Sequence, residues 1–143
     1  MQVFIVGSPF ETAKALDKRR LNKQIIECGQ IWNAISGETK AWINHPCIKM
    51  YSNHVKWLEW YTWCLAYYKD GYKHIAEECS DFADKLRPDF HTHDYFNQMK
   101  RRLYTKNNQY YSQWSEFGES DCNWYWSDDD NKFIKYINGK RIN

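Results

Sequence analysis

Arg20, Lys23, Gln24 and Glu27 stand at i, i+3, i+4 and i+7 of one stretch, so on a helix they share a face. Two cations, an amide and one carboxylate so arranged can hold a phosphate, contact a base edge or a ribose, and move a proton. Gln30 adds a second amide near the end of the same stretch. The plainer alternative is an exposed face on which Glu27 pairs with Lys23 or Arg20. Other residues with chemical potential are scattered. His45 precedes Pro46 in a predicted loop, and His54 falls on an apolar helical stripe, where a histidine is more often a packed core residue. Lys100, Arg101 and Arg102 form a second basic cluster that could add anion contacts. His91 and His93 make a His-x-His pair with no further ligand at a suitable spacing, so no metal site is expected. Asp128 to Asp130 lack the glycine and alternation of a calcium loop and read as a solvated turn. Nothing cradles a phosphate in a glycine-rich loop, and no cofactor is expected.

The elements that must position these residues are mostly helical. Val3 to Val6 is a short apolar run closed by Gly7-Ser8-Pro9, read as a buried extended segment or short strand. Ser8 and Glu11, with Pro9 between them, make a capping box for a first helix over about residues 9–16. The helix with the polar face runs from about 17 to 36 and stops at Gly37, with Leu21, Ile25, Cys28, Trp32 and Ile35 on its opposite side. Met50, His54, Trp57, Leu58, Tyr61, Cys64, Leu65 and Tyr68 then predict one long buried helix over about 47–70. Further helices are expected near 72–86, 94–104 and 107–114, with a strand candidate at Phe133–Gly139. No boundary, repeat or low-complexity tract divides the chain, so the reading is a mostly α, compact single-domain fold over 1–143 with a short N-terminal extended segment.

Composition limits the function. Eight Trp, eleven Tyr and seven Phe make the chain unusually aromatic; core packing is the expected use for most of them, and a few could line a pocket and stack on bases. The net charge of +2 argues against a protein that wraps long duplex DNA through a broad basic surface. The charge is uneven, however: Lys14, Lys18, Arg19, Arg20 and Lys23 cluster early, whereas Glu116, Glu119, Asp121 and Asp128 to Asp130 gather late. A local anionic ligand suits that pattern. The five cysteines are odd in number and never spaced as Cys-x-x-Cys, which points to reduced thiols and a cytoplasmic protein. There is no leader-like segment and no run of about 18 apolar residues, so no membrane span is expected.

The order Asp17…Arg20-Leu21…Lys23…Glu27…Gln30, then Asn44-His45-Pro46…Met50, then His54 and an aromatic helix, resembles the phage pyrimidine-dimer DNA glycosylase (endonuclease V) family. The likeness is closest to its phage and bacterial branch. It covers about residues 1–72 and is carried beyond them only by Tyr110…Trp114. The resemblance implies a compact helical fold with the N-terminus close to the first long helix. It also implies a mechanism: an N-terminal α-amine attacks the sugar carbon of a damaged nucleotide, a Schiff base forms, and the strand breaks by elimination. The family's essential glutamate corresponds to Glu27. An α-amine titrates near pH 8, about two units below lysine, so a useful neutral fraction exists at neutral pH.

Three positions depart from the characterised enzymes. Gln2 is too bulky for the usual removal of Met1, so the Met1 amine would have to serve as nucleophile. Ile26 and Arg20 stand where those enzymes have arginine and histidine. Two expectations follow. One is a DNA N-glycosylase acting on a damaged or modified pyrimidine, with Met1 and Glu27 catalytic and DNA as partner. The other is a phage binding protein that sequesters a small phosphate-bearing nucleotide, a cyclic-nucleotide or ADP-ribose-type immune signal. In both, Arg20, Lys23, Gln24, Gln30, His45, His54, Arg101 and Arg102 are candidate nucleotide or phosphate contacts.

Overall fold

The computed structural model describes residues 1–118 and 120–142; Glu119, one of the late acids, and Asn143 lie outside the described residues. The chain is mostly helical with one small sheet. It groups into two compact units, Met1–Pro88 and Asp89–Asn143, although no shift in composition marks the division.

The first unit holds α1 (Pro9–Ala15), α2 (Lys18–Ser36), α3 (Pro46–Tyr51), α4 (Val55–Lys69) and α5 (Lys73–Asp84). The Ser8/Glu11 capping box forms as the sequence predicts, with Pro9 in the first turn. Asp17 is the N-cap of α2, and Gly37 ends it at φ 84°, a left-handed conformation that favours glycine. α4 is the central helix, packing against α1, α2 and α5. Its Trp57, Leu58, Tyr61, Cys64 and Leu65 are fully buried or nearly so. No described helix is long and apolar enough to cross a membrane.

The single helix expected over 47–70 is two helices. Ser52 turns its hydroxyl back to the Lys49 carbonyl at 3.0 Å, and His54 sits at φ −131°, ψ 33°, outside the helical region. Short polar side chains that bond their own backbone weaken a helix at this kind of position. The break lets Tyr51 at the end of α3 stack on Trp57 of α4 (5.4 Å, 20°), and Trp57 in turn on Tyr61 (4.8 Å, 13°). Aromatic stacking replaces the lost turn.

Val3–Val6 is buried as expected but pairs with no strand among the described residues. Side chains meet its backbone needs instead. Phe4 N–H donates to Gln24 Oε1, Gln24 Nε2 donates to Gln2 O at 2.8 Å, and Val6 N–H donates to Thr12 Oγ1 at 3.1 Å. Tyr61 Oη donates to Phe4 O. Because buried peptide groups need partners, Gln24 acts in place of a neighbouring strand.

The second unit holds α6 (His93–Lys106), a 3₁₀ segment (Ser112–Phe117) and an antiparallel sheet of β1 (Cys122–Ser127), β2 (Lys132–Ile137) and β3 (Lys140–Ile142) in that order. The helix expected at 107–114 is therefore a turn followed by the 3₁₀ segment. The strand candidate is borne out as β2, and Asn138-Gly139 makes its turn into β3 with both residues at positive φ. Gln98 repeats the device of Gln24: its amide donates to Trp124 O at 2.8 Å and accepts from Trp124 N–H. Phe90, Tyr95, Trp126 and Phe133 pack around one another as this unit's aromatic cluster.

Candidate active site at the N-terminus

The face of α2 is rotated from the sequence expectation. Its buried stripe is Leu21, Gln24, Cys28, Ile31 and Ala34, whereas Ile25, Trp32 and Ile35 are only half-buried. The N-terminal segment lies over Gln24 and takes both ends of its amide. Gln24 is 1% exposed, so no part of it is open to a nucleotide. Its place is structural.

Glu27 lies at the border of that buried stripe, its side chain 16% exposed. Its Oε2 accepts from Gln2 N–H at 3.4 Å, and its Oε1 is 3.9 Å from Lys23 Nζ. Lys23 itself is 70% exposed, so this ion pair contributes little to stability and leaves the ammonium open to an anion. The Met1 carbonyl accepts from Cys47 Sγ at 3.4 Å, which ties the first residue to the opening turn of α3. The N-terminus is thereby held between α2 and α3. Cys47 and the Gln2 backbone, neither singled out from the sequence, do this holding; only the placement of Cys47 just after Asn44-His45-Pro46 hinted at it.

His45 completes the cluster. It is the N-cap of α3, and its Nδ1 accepts from Cys47 N–H at 3.1 Å, which leaves Nε2 carrying the proton of the neutral ring. Its pKa is lowered, first by burial and then by the positive α-amine, with Glu27 opposing both. Thus Met1, Glu27, Lys23 and His45 come together, with His45 sensing both the amine and the carboxylate. Arg20 pairs with Asp17 at 3.2 Å at the start of α2, and Gln30 is exposed on the same helix. His54 is half-buried at the N-cap of α4.

The remaining candidates lie on α6 in the second unit. Arg101 donates to Ser120 O at 2.9 Å, to Cys122 O at 2.7 Å and to Asn123 Oδ1, so its guanidinium anchors the chain entering β1. Arg102 beside it is half-buried. His91 is buried and stacked on Tyr95 (5.3 Å, 17°). Asp128 to Asp130 form the turn between β1 and β2, where Asp130 pairs with Arg141 at 3.1 Å. Among the described residues no group of three or more His, Cys, Asp or Glu is arranged to hold a metal.

A family model described as pyrimidine dimer DNA glycosylase matches residues 1–74, more than half of the chain. The chain belongs to the pyrimidine dimer DNA glycosylase family. The match spans α1 to the start of α5, and with them every member of the N-terminal cluster. It stops before Tyr110–Trp114, the later segment that carried part of the sequence resemblance. Neither the curated proteins nor the solved structures include a match to this chain. Membership in the family supports a DNA substrate and a glycosylase-like function on pyrimidine dimers.

Proposed function

We propose that the protein is a DNA N-glycosylase with lyase activity, acting on a damaged or modified pyrimidine nucleotide through the Met1 α-amine. The amine attacks C1′ of the sugar, the C1′–N bond to the base breaks, and opening of the ring gives a Schiff base. Glu27 delivers a proton during ring opening and later removes one from C2′, so that the 3′ carbon–oxygen bond breaks and the strand is cut. Lys23 and Arg20 face the flanking phosphates, and the neutral His45 offers its Nε2–H beside them. The observation that supports this most is the hydrogen bond from Gln2 N–H to Glu27 Oε2 at 3.4 Å, because it sets the carboxylate one residue from the amine.

Two variants test it on duplex DNA carrying an abasic site. Glu27→Gln should slow strand cleavage by about 100-fold or more, the usual scale of a lost acid–base group. Extending the chain by one residue before Met1 moves the amine and should abolish cleavage. An extended protein that cleaves at the native rate would falsify the mechanism.

One observation favours the rival reading. Ile26, at the position where the characterised glycosylases carry an arginine, is 63% exposed, so a cation is missing from the open side of α2. A protein that only holds a small phosphate-bearing nucleotide through Arg20 and Lys23 has less need of that cation. Thermal shift with a panel of cyclic nucleotides and ADP-ribose separates the two. Binding at 100 times the dissociation constant adds about 2.7 kcal/mol to stability, and no shift with any of them removes the rival.

A further inference from the structure

The loop between α2 and α3 carries a feature that the catalytic reading leaves unused. Trp42 adopts φ 65°, in the left-handed region, where a bulky side chain is rare and costly. That conformation does not hide the ring. Trp42 is 58% exposed and Ile43 next to it is 48% exposed, an apolar pair presented to solvent. The turn is held by His45 N–H donating to Trp42 O at 2.8 Å and by Ala41 N–H donating to Thr39 Oγ1 at 3.1 Å. The Trp42 ring meets the His45 ring edge-on, 6.3 Å between centroids. His45 is bonded to Cys47, and Cys47 to the Met1 carbonyl. The exposed apolar tip therefore stands next to the cluster that holds the N-terminus, kept there by a strained backbone and fixed hydrogen bonds.

Attack on C1′ inside a duplex is helped by opening the base step at the lesion, and a step so opened must be filled. Proteins that open a base step insert apolar side chains between the bases, and an indole stacks on any base regardless of sequence. We propose that Trp42 and Ile43 are the wedge that enters the duplex at the lesion and holds the base step open, so that C1′ is presented to the Met1 amine and Glu27. This rests on the glycosylase reading and extends it, by giving the protein a device for opening the duplex that lies outside the reacting groups.

The test separates opening from chemistry. Opening is read by the fluorescence of 2-aminopurine placed beside an abasic-site analogue in duplex DNA; chemistry is read by borohydride trapping on a true abasic site, in duplex and in single-stranded DNA. Wild-type protein should raise the 2-aminopurine signal on binding, and Trp42→Ala should lose most of that rise. Trp42→Ala should also lose at least about tenfold more trapping on the duplex than on the single strand, the scale of one lost base–aromatic stack. Trp42→Gly, which removes the ring and relieves the left-handed strain, should melt no lower than wild type and show the same defect. Equal losses on both substrates, an unchanged fluorescence rise, or a Trp42→Gly protein that melts well below wild type each overturn the wedge. If wild type never traps but the fluorescence rise still depends on Trp42, the wedge stands and the glycosylase reading falls.

Discussion

Replacing Gln24 by alanine is the sharpest perturbation of the architecture that holds the amine. The Gln24 side chain is 1% exposed, donates to Gln2 O at 2.8 Å, accepts from Phe4 N–H, and accepts from Tyr61 Oη at 3.2 Å. Tyr61 keeps its other bond, to Phe4 O, so its hydroxyl is not orphaned. Phe4 N–H is left buried without a partner, and the Gln2 carbonyl loses its donor. An unsatisfied buried polar group costs about 1–3 kcal/mol, and the truncation leaves a small cavity as well. The expected loss is about 3 kcal/mol, or roughly 6–12 °C in melting temperature for a chain of this size. Gln24→Leu keeps most of the volume but none of the three hydrogen bonds, so it should lose nearly as much, which assigns the effect to the bonds and not to the cavity. Thermal melting gives the stability, and borohydride trapping gives the position of the amine; both should fall together as the N-terminal segment detaches from α2. A Gln24→Ala protein that melts within 2 °C of wild type by the same conversion and traps normally would show that Gln24 does not anchor the segment.

His45 predicts a pH dependence. Its folded pKa lies below the ordinary 6.5, so the unfolded chain takes up the proton first and stability falls as pH drops below about that value, levelling off once the folded pKa is passed. Protonation at Nδ1 also breaks the cap to Cys47 N–H. His45→Asn keeps a capping oxygen without the titration, so the drop in melting temperature between pH 7 and pH 5 should be smaller in the variant; an equal drop refutes the assignment. Arg101→Ala removes three hydrogen bonds from a charged donor, and should destabilise the second unit by about 2–4 kcal/mol while leaving the salt dependence of DNA binding unchanged. A shallower salt slope would show that Arg101 contacts phosphate after all. Burial pushes the Cys64 thiol up to about 12, so alkylation of the folded protein at pH 8 should leave Cys64 unmodified by mass spectrometry until unfolding. Modification at the rate of a free thiol contradicts that burial.

The helices of the first unit were legible because their signals are local. Ser8, Glu11 and Pro9 start α1, and Gly37 stops α2, by capping chemistry that needs no tertiary information. The break at Ser52–His54 was not legible, since the apolar stripe runs through it without interruption, and what stabilises it is the stacking of Tyr51 on Trp57. The role of Gln24 was hidden for the opposite reason. Helical spacing put it with Arg20 and Glu27, but only the docking of Val3–Val6 shows that a buried backbone needs its amide. Arg101 likewise read as a free cation beside Lys100 and Arg102, and the carbonyls it serves lie about twenty residues on. The β2–β3 hairpin had an available signal in Asn138-Gly139, whereas β1 gave none beyond its aromatic content. Glu27 and His45 stood out in the sequence as separate candidates; their meeting at the N-terminus, through Gln2 and Cys47, is a product of the fold.

The claim at the centre is that the Met1 amine, set beside Glu27, is the nucleophile. It is tested most directly by trapping the protein with borohydride on duplex DNA containing an abasic site, digesting the complex, and locating the sugar adduct by mass spectrometry. A single adduct is expected on the N-terminal peptide, at the α-nitrogen of Met1, and it should disappear when the chain is extended by one residue. An adduct on Lys23 or any other lysine, or none at all, contradicts it.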